Sequence, residues 1–479
     1  MSIKRALVLS YCERYGNLFL GLIATMVLSR LLTPAEVGVF SIGMLIIGLV
    51  AVIRDLDASS FLIQTPELTR DRIRAAFTVS LGLGIFFALL LWLLAPACVK
   101  FYKEPRLGEV IHLLAFSFLL VPFGANTQAI LTREMRFGAL LVIRITQPVV
   151  STITSVTLAL QGYGTLSLAW GMLAGSISIA LATTLFRPKN LPLLPGLRSI
   201  GEVLHFGLRK TSASILSELR TGAPEIVLGK TLGFAVSGIF SRANGLAQMF
   251  SQLILNAIYR VAFAHFSKNQ RNDSDCSKTD YLYAIQIILA LAWPFFFVLS
   301  WNAEAVLYVL YGQQWLGAAP ILRVLCLSVS MGMPFALAST LLIASGNVTN
   351  VLRNEFTITP IYLILVAAAA FHSAEAVALA IVASTFISAA LWLRSLKQHH
   401  QIGWGDMTAA MLPALKLTGI VALACLAGSL VPVPLTVGHW ALLITFAINA
   451  ALSLAAYAFL LYRMQHPIIA LIGTLLGKA

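Results

Sequence analysis

Amide side chains recur at helical spacing in an otherwise apolar stretch that runs from Ser217 to Arg260. Because residues four apart lie on one side of a helix, this spacing places the amides on a single slanted stripe. Amides hydrogen-bond either to another membrane helix or to a hydroxyl-rich ligand in a water-filled cavity. We favour the cavity, because Arg242 adds a cation to the same stretch. The stripe comprises Asn244, Gln248, Gln252 and Asn256.

Charged side chains precede the stripe at Glu218, Arg220 and Glu225. In a membrane, a charge at the bilayer centre costs about 2.5–3.5 kcal/mol, so it faces a partner or a cavity. Glu218 and Arg220 either neutralise each other or another helix, or they line a cavity that receives a charged ligand. We favour the cavity, because Gly222 and Pro224 are expected to break the helix nearby. Glu218 and Glu225 are the best candidates for coupling to protons or sodium ions.

A second polar set lies nearer the amino terminus. Arg144 and Gln147 recur at helical spacing and are candidates for the same cavity wall, although Arg144 could equally extend to the cytoplasmic membrane surface. Arg54, Asp55 and Asp57 crowd one short segment. There we favour a salt-bridge cluster at a gate over a ligand-binding role.

These polar residues stand out because the chain is apolar: 59% of its 479 residues are hydrophobic and 11% are charged. A soluble domain carries about 25% charged residues, so the composition indicates an integral membrane protein. The net charge of +14 does not indicate a nucleic-acid partner, since the basic residues fall mostly in short breaks between apolar runs. The five cysteines are scattered and odd in number, and we infer neither a disulfide framework nor a metal site from them.

Apolar runs near the length of about 20 residues that spans a bilayer predict an all-α membrane protein with about fourteen transmembrane helices. With the amino terminus inside, nineteen Lys and Arg residues fall in cytoplasmic segments and three in outer segments, so both termini are placed in the cytoplasm. The predicted spans are about 14–32, 37–62, 75–99, 109–131, 139–161, 166–186, 204–231, 234–264, 281–302, 320–344, 354–371, 375–393, 410–431 and 439–462.

The chain resembles itself after 200 residues: VLSRLLTPAEVGVFS begins at Val27 and VLGKTLGFAVSGIFS begins at Val227. Six predicted spans separate the copies, so they face the same way and predict two parallel six-helix repeats. The last two spans have no counterpart. The predicted division is an amino-terminal lobe over 1–190, a carboxy-terminal lobe over 200–394 and two additional helices over 408–479.

Aromatic and cationic residues mark the predicted outer membrane surface. Segment 303–319 is neither a clean span nor a plain loop. The aromatic residues in and beside it suit the boundary between lipid and water: Trp301, Tyr308, Tyr311 and Trp315. We expect this segment to form a helix that lies along the boundary. Arg30 and Lys230 occupy equivalent positions in the repeat, and anchoring at the same surface is their favoured role.

Six stretches between about residues 30 and 345 resemble the polysaccharide transporter branch of the multidrug, oligosaccharidyl-lipid and polysaccharide exporter superfamily, the bacterial flippases for lipid-linked oligosaccharides. The resemblance implies two six-helix lobes in a V, with a central cavity that opens alternately to each side of the inner membrane. It also implies a polyprenyl-pyrophosphate-linked glycan as cargo. The stretches are SRLLTPAEVGVFSIG, DLDASSFLIQTPELTRD, ILTREMRFGAL, QGYGTLSLAWG, PEIVLGKTLGFAVSGIFSRAN and LYGQQWLGAAPILRVL.

These observations predict a flippase that works by alternating access with ion coupling, in which arginines offset phosphate charge and amides meet sugar hydroxyls. Its expected surroundings are the lipid bilayer, with polysaccharide polymerase and chain-length proteins as candidate partners, and neither a cofactor nor a metal is expected. One alternative is a drug or cation antiporter of the same superfamily. A polytopic glycan polymerase or ligase is disfavoured, because the outer loops are short and no catalytic motif is present.

Overall fold

The computed structural model is helical and without strands over the residues that it describes. It divides into two compact units, Met1–Gly238 and Ile239–Ala479. The described residues are 3–55, 58–65, 67–188, 195–198, 200–255, 258–259, 262–263, 265–267, 277–431 and 439–463.

The first unit holds eight helices and the beginning of a ninth within its described part. These are α1 (Ile3–Leu31), α2 (Pro34–Asp55), α3 (Ala58–Gln64), α4 (Arg70–Tyr102), α5 (Pro105–Arg133), α6 (Phe137–Leu160), α7 (Thr165–Phe186), α8 (Ile200–Thr231) and the start of α9 (Phe234–Phe250).

Local sequence explains where these helices begin and end. The Thr69 hydroxyl accepts a hydrogen bond from the N–H of Arg72 at 3.3 Å and caps the start of α4. Lys103, with a φ of 58°, ends α4 in the left-handed conformation, and Pro105 opens α5 with a φ suited to a first helical turn. The break between these two helices is therefore short and well defined.

Small residues let α6 and α7 approach closely. A Cβ on Gly175 would lie 3.2 Å from the backbone oxygen and 3.2 Å from the Cγ of Gln147, and a Cβ on Gly171 would lie 2.7 Å from the Ser151 carbonyl oxygen. Membrane helices commonly use such positions, since close backbone approach increases packing where the hydrophobic effect is weak. Gln147 is therefore packed against α7 rather than free on the helix surface.

The second unit continues α9 into a π-helical turn over Ser251–Leu255. Two 3₁₀ segments, Gln313–Ala318 and Met333–Phe335, interrupt the later helices. The remaining helices are α10 (Ser277–Trp301), α11 (Ala303–Tyr311), α12 (Ala319–Gly332), α13 (Ala338–Ala344), α14 (Val348–Ala369), α15 (Ala374–His400), α16 (Trp404–Ser429) and α17 (His439–Arg463).

The expected short helix near residue 303 is present as α11, which is followed by the 3₁₀ turn Gln313–Ala318. The aromatic residues expected at the boundary do not all lie on a surface: Trp301 is 40% exposed and Tyr308 is half-buried, but the other two are buried. Tyr311 is 4% exposed and Trp315 is 0% exposed, so the prediction that these rings contact the lipid–water boundary is wrong. An aromatic ring with one polar atom suits a buried site with a hydrogen-bonding partner as well as it suits an interface.

The two carboxy-terminal helices pack inside the second unit. α16 packs against both α10 and α17. Polar groups join these elements. The buried Asn449 amide donates to Asn302 Oδ1 at 3.0 Å, and the exposed Trp301 indole donates to the Ser429 hydroxyl at 3.1 Å. The predicted division into lobes and additional helices stays a prediction.

Eleven helices of the described chain are long and apolar enough to cross a membrane. Every one of the fourteen predicted spans overlaps an observed helix, although the count of fourteen membrane crossings stays a prediction. Three of those helices, α1, α8 and α9, fall outside the eleven. These three carry Glu13, Glu218, Arg220 and Arg242.

Candidate functional site

Helix α8 carries Glu218 and Arg220 on its middle turns, and it is continuous over Ile200–Thr231. The expected break at Gly222 and Pro224 is therefore wrong. Pro224 removes only the N–H that would bond to the Arg220 carbonyl, and membrane helices tolerate such a loss. A Cβ on Gly222 would lie 3.0 Å from the Leu45 side chain, so the glycine serves the close packing of α8 on α2.

Glu218 extends toward α2. A Cβ placed on Gly48 would lie 2.8 Å from Glu218 Oε1, so the missing side chain at position 48 leaves room for this carboxylate. Both Glu218 and Arg220 are half-buried. The carboxylate thus occupies a specific notch between two helices of the first unit.

Glu225, the second candidate for ion coupling, is 7% exposed. The hydroxyl of Ser237, which is itself buried, donates to the backbone oxygen of Glu225 at 3.0 Å. This bond ties the last turns of α8 to the first turn of α9. A buried carboxylate beside a loop between two helices is suited to respond to a proton or cation, which keeps the coupling role as a prediction.

Lys230, at the end of α8, binds the end of α4. Its ammonium donates to the Phe101 carbonyl oxygen and lies 4.2 Å from the centre of the Phe101 ring. The lysine is exposed, as its favoured anchoring role requires. The ring contact is a cation–π interaction, which favours a fixed position for the ammonium group.

Arg242 on α9 is held by two aromatic rings of the second unit. Its guanidinium carbon lies 5.6 Å from the centre of the Tyr311 ring and 5.4 Å from that of the Trp315 ring. The two rings contact each other edge to face at 6.3 Å. Burial raises the pKa of the Tyr311 phenol, and the nearby Arg242 charge opposes this rise in part. The arginine therefore faces a neutral aromatic wall.

The predicted amide stripe is described only in part. Asn244 is half-buried and Gln248 is exposed, while the Gln252 side chain and the whole of Asn256 lie outside the described residues. The π-helical turn at Ser251–Leu255 changes the spacing that the stripe assumed, because a π-turn adds a residue to each turn. π-turns recur at functional sites, so their presence here is compatible with a ligand-binding role.

Arg242 does not lie on the same side of α9 as the two described amides. Arg242 lies two positions before Asn244, and at 100° per residue this corresponds to about 200° of rotation around the helix axis. The cation and the two described amides therefore lie on different sides of the helix, and their joint role in one cavity stays a prediction. Asn244 and Gln248 remain together on one side, and Arg242 packs toward the rings of Tyr311 and Trp315.

Arg144 joins three helices of the first unit. Its Nη1 donates to Glu13 Oε1 on α1 at 3.0 Å, and its Nε donates to Gln128 Oε1 on α5 at 3.3 Å. The side chain of Glu13 is 14% exposed and that of Arg144 is 40% exposed. An interhelical pair thus replaces the alternative in which Arg144 only extends to the membrane surface. Neither Glu13 nor Gln128 stands out from the sequence alone.

Arg54 is 9% exposed and lies over the Phe118 ring at 4.3 Å. Phe118 was not among the residues singled out from the sequence. The Asp55 side chain and the whole of Asp57 lie outside the described residues, so the expected salt-bridge cluster stays a prediction. Among the described residues, no group of His, Cys, Asp and Glu side chains could hold a metal ion.

The fold defines the class of protein. The chain matches the lipid II flippase MurJ in an inward closed conformation with a TM-score of 0.75 at 15% identity, over 96% of this chain and 99% of MurJ. It also matches an inward-facing multidrug resistance transporter of the MATE family, of the MOP superfamily, with a TM-score of 0.66 at 16% identity, over 83% of this chain and 98% of the other. The chain is thus a multi-pass membrane protein with the fold of this superfamily.

The sequence shows the family more closely. The family model described as "Polysaccharide biosynthesis protein" matches residues 27–320, more than half of the 479 residues, and the chain belongs to this family. The lipopolysaccharide biosynthesis protein WzxC of Escherichia coli is 25% identical over 69% of this chain and 67% of its own length. The succinoglycan biosynthesis transport protein ExoT of Rhizobium meliloti is 24% identical over 70% of this chain and 67% of its own length. The family resemblance read from the sequence is confirmed.

Proposed function

We propose that this protein is a flippase that moves a polyprenyl-pyrophosphate-linked oligosaccharide across the bacterial inner membrane by alternating access. The observation that carries the proposal is the distribution of polarity. Among the described residues, eleven helices are long and apolar enough to cross a membrane, whereas α8 and α9 present half-buried or exposed charges and amides. Membership of the polysaccharide biosynthesis family and the names of WzxC and ExoT support a lipid-linked glycan as cargo.

Cationic and amide groups have separate roles in this proposal. Arg220 and Arg242 offset the charge of the pyrophosphate, for which a guanidinium is suited because its planar fork can bind two oxygens. Asn244 and Gln248 hydrogen-bond to sugar hydroxyls, and Gln252 and Asn256 are further candidates from the sequence alone. Arg144 and Gln147 are also candidates, although Arg144 is already bound by Glu13.

The transport cycle requires a source of energy that drives it in one direction. Carboxylates within helices are suited to supply it, because they can bind a cation and release it. We propose that Glu218 and Glu225 exchange a proton or a sodium ion during the cycle. Support comes from their positions: the Glu218 carboxylate lies in the notch at Gly48, and Glu225 is buried at the end of α8. Binding or release of a cation at Glu218 would alter packing between α8 and α2 directly.

The orientation follows from the distribution of basic residues, so both termini are proposed to lie in the cytoplasm. The proposed partners are the lipid-linked glycan and the bilayer, with polymerase and chain-length proteins as further candidates. Transport rather than catalysis is proposed, because WzxC and ExoT are named for polysaccharide biosynthesis and transport.

The test is export of the glycan from a strain that lacks its own flippase. We expect Arg220→Ala and Arg242→Ala to reduce export strongly at normal protein levels, and Arg220→Lys and Arg242→Lys to retain part of it. Arg323→Ala is the matched control, because Arg323 pairs with Glu304 at 2.8 Å and both side chains are about half-exposed. Full export by both alanine variants would overturn the assignment of these arginines.

A drug or cation antiporter is the second candidate, because the MATE-family transporter shares the fold. The two candidates differ in the charge of the cargo. Arginines repel organic cations and attract phosphate, so Arg220 and Arg242 favour the anionic cargo. Efflux of organic cations that depends on the protein, without glycan export, would support the antiporter instead.

A further inference from the structure

Lys416 is a charged residue at the middle of an apolar helix. It lies halfway along the 26 residues of α16, which is one of the helices apolar enough to cross a membrane. At 1.5 Å per residue this is about 18 Å from either end, deep in the hydrocarbon of a bilayer about 30 Å thick. Exposed Trp404 and the ion pair between Asp406 and Lys278, at 2.8 Å, mark the first turn of the helix as its membrane-surface end.

The lysine side chain points outward. Met407, Ala414, Leu417 and Val421 form the buried side of α16, whereas Lys416 itself is exposed. The apolar side chains beside it on the helix are exposed too: Leu412 and Leu415 are each 52% exposed, and Leu423 is 63% exposed. Lys416 thus occurs on a face that resembles a lipid-contacting surface and not the wall of a wet cavity.

Within the described chain, no carboxylate forms an ion pair with Lys416. The carboxylate of Asp406 on the same helix pairs with Lys278 and caps the helix instead. An unmatched charge at this depth costs about 2.5–3.5 kcal/mol, and residues of this kind normally face a partner. Lipid phosphates lie at the membrane surface, too far from the helix midpoint to serve. The missing anion must therefore lie at mid-depth.

A second polar feature lies on the same face. Pro413 within α16 has no N–H, so the carbonyl of Ala409 lacks its helical hydrogen-bond donor. Ala409 precedes Lys416 by seven residues, about two turns, and both are exposed. Gly419, one turn later, has open space around a Cβ position, which would let another helix approach closely.

A second copy of this chain does not supply the anion. Among the described residues, the acidic side chains more than five residues from a helix end are all buried or half-buried. They are Glu13, Glu218, Glu225 and Glu355. Exposed Glu109 lies only five residues into α5. Two copies that met symmetrically on this face would instead bring two lysines together, which is repulsive.

We propose that the Lys416 face of α16 is a docking surface for a transmembrane helix of a different protein that carries an Asp or Glu at mid-membrane depth. The carboxylate pairs with the Lys416 ammonium, a hydrogen-bond donor of the partner reaches the Ala409 carbonyl, and the leucines pack against the partner's apolar side chains. Charge complementarity selects this occupant over a lipid.

The test uses the whole protein in cells of its source, with a photo-crosslinking amino acid in place of Leu412 or Leu423. We expect a protein adduct whose yield falls about tenfold with Lys416→Leu and is retained with Lys416→Arg, since an interhelical polar contact contributes roughly 1–2 kcal/mol. The adduct partner is identified by mass spectrometry, and neutralising its mid-span carboxylate should reduce the yield equally. Lys100→Leu, at the exposed end of α4, is the matched control and should change nothing.

Four results would overturn the proposal. These are an adduct with lipid or with the lipid-linked cargo only, an adduct with a second copy, a yield that Lys416→Leu leaves unchanged, and a partner without a carboxylate in its membrane spans. Translocation by the purified Lys416→Leu protein in vesicles should equal that of the wild type, which shows that the variant folds. This readout also keeps the docking surface distinct from the transport activity itself.

Discussion

Gly38 on α2 and Gly238 on α9 contact each other through backbone atoms alone. A Cβ on Gly38 would collide with the carbonyl oxygen of Phe234, and a Cβ on Gly238 would collide with the carbonyl oxygen of Pro34. Because positions 34 and 38 correspond to 234 and 238 in the repeat, the contact is reciprocal, as a local two-fold relation requires. The sequence repeat thus has a physical counterpart within the first unit.

This contact predicts a strict requirement for glycine. Gly38→Ala and Gly238→Ala should each lower the apparent melting temperature in detergent, since overpacking against rigid backbone costs about 1–3 kcal/mol. Gly82→Ala on α4 is the control, because nothing lies within 4 Å of a Cβ at that position. Unchanged melting of the Gly38 and Gly238 variants would contradict the close crossing of α2 and α9.

The notch at Gly48 predicts a functional link to Glu218. Gly48→Leu should displace the Glu218 carboxylate, whose Oε1 lies 2.8 Å from the Cβ position of residue 48. Glycan export should then fall to the level of Glu218→Gln, and the double variant should be no worse than either single variant, as expected for residues that act together. If Gly48→Leu exports glycan normally while Glu218→Gln is defective, the predicted functional link between the two residues is contradicted.

The aromatic wall beside Arg242 predicts a stability effect. Trp315 is fully buried, so Trp315→Ala should destabilise the protein by about 3–5 kcal/mol through the cavity left behind. Trp170→Ala, at a position that is 42% exposed, provides the comparison and should have a far smaller effect. The thermal unfolding of both variants in detergent measures the difference, and equal losses would contradict the burial of Trp315.

Glu104 predicts a specific pH dependence. Its carboxylate caps α5 and pairs with Arg106 at 2.8 Å, and the hydrogen bond from the Arg106 side chain lowers the pKa of Glu104 below its ordinary value. A carboxyl with a lowered folded-state pKa stabilises the protein above its ordinary pKa and loses this contribution as pH falls through the folded-state pKa.

The wild type should therefore melt above Glu104→Gln at pH 7, and the two melting temperatures should converge below about pH 4. The difference at pH 7 should be small, under about 1 kcal/mol, because the Arg106 side chain is 47% exposed. A difference that persists unchanged to low pH would show that the charge of Glu104 does not stabilise the fold.

The sequence predicted helices at every position where the structure has a candidate span, because the length of an apolar run is set directly by the bilayer. The repeat beginning at Val27 and Val227 likewise located the contact region of Gly38 and Gly238. Such features depend on local composition or on similarity within the chain. Neither requires knowledge of which side chains meet.

The errors have a common physical origin in long-range packing. Glu13 and Arg144 lie 131 residues apart, and no periodicity in the sequence connects them. A buried tryptophan such as Trp315 cannot be told from an interfacial tryptophan by its residue type. Only the folded structure shows that its ring packs against Arg242. The amide stripe assumed a regular helix, whereas the π-helical turn at Ser251–Leu255 changes the spacing after Gln248.

The most direct test of the central claim uses the purified protein in lipid vesicles that contain a fluorescent polyprenyl-pyrophosphate-linked oligosaccharide. A membrane-impermeant glycosidase or lectin in the outer solution reports how fast inner-leaflet glycan becomes accessible. We predict transfer that depends on the protein, falls strongly with Arg220→Ala and Arg242→Ala, and is preserved with Arg323→Ala. Transfer no faster than in protein-free vesicles, under imposed proton and sodium gradients, would contradict the proposal that this protein is a flippase for lipid-linked glycans.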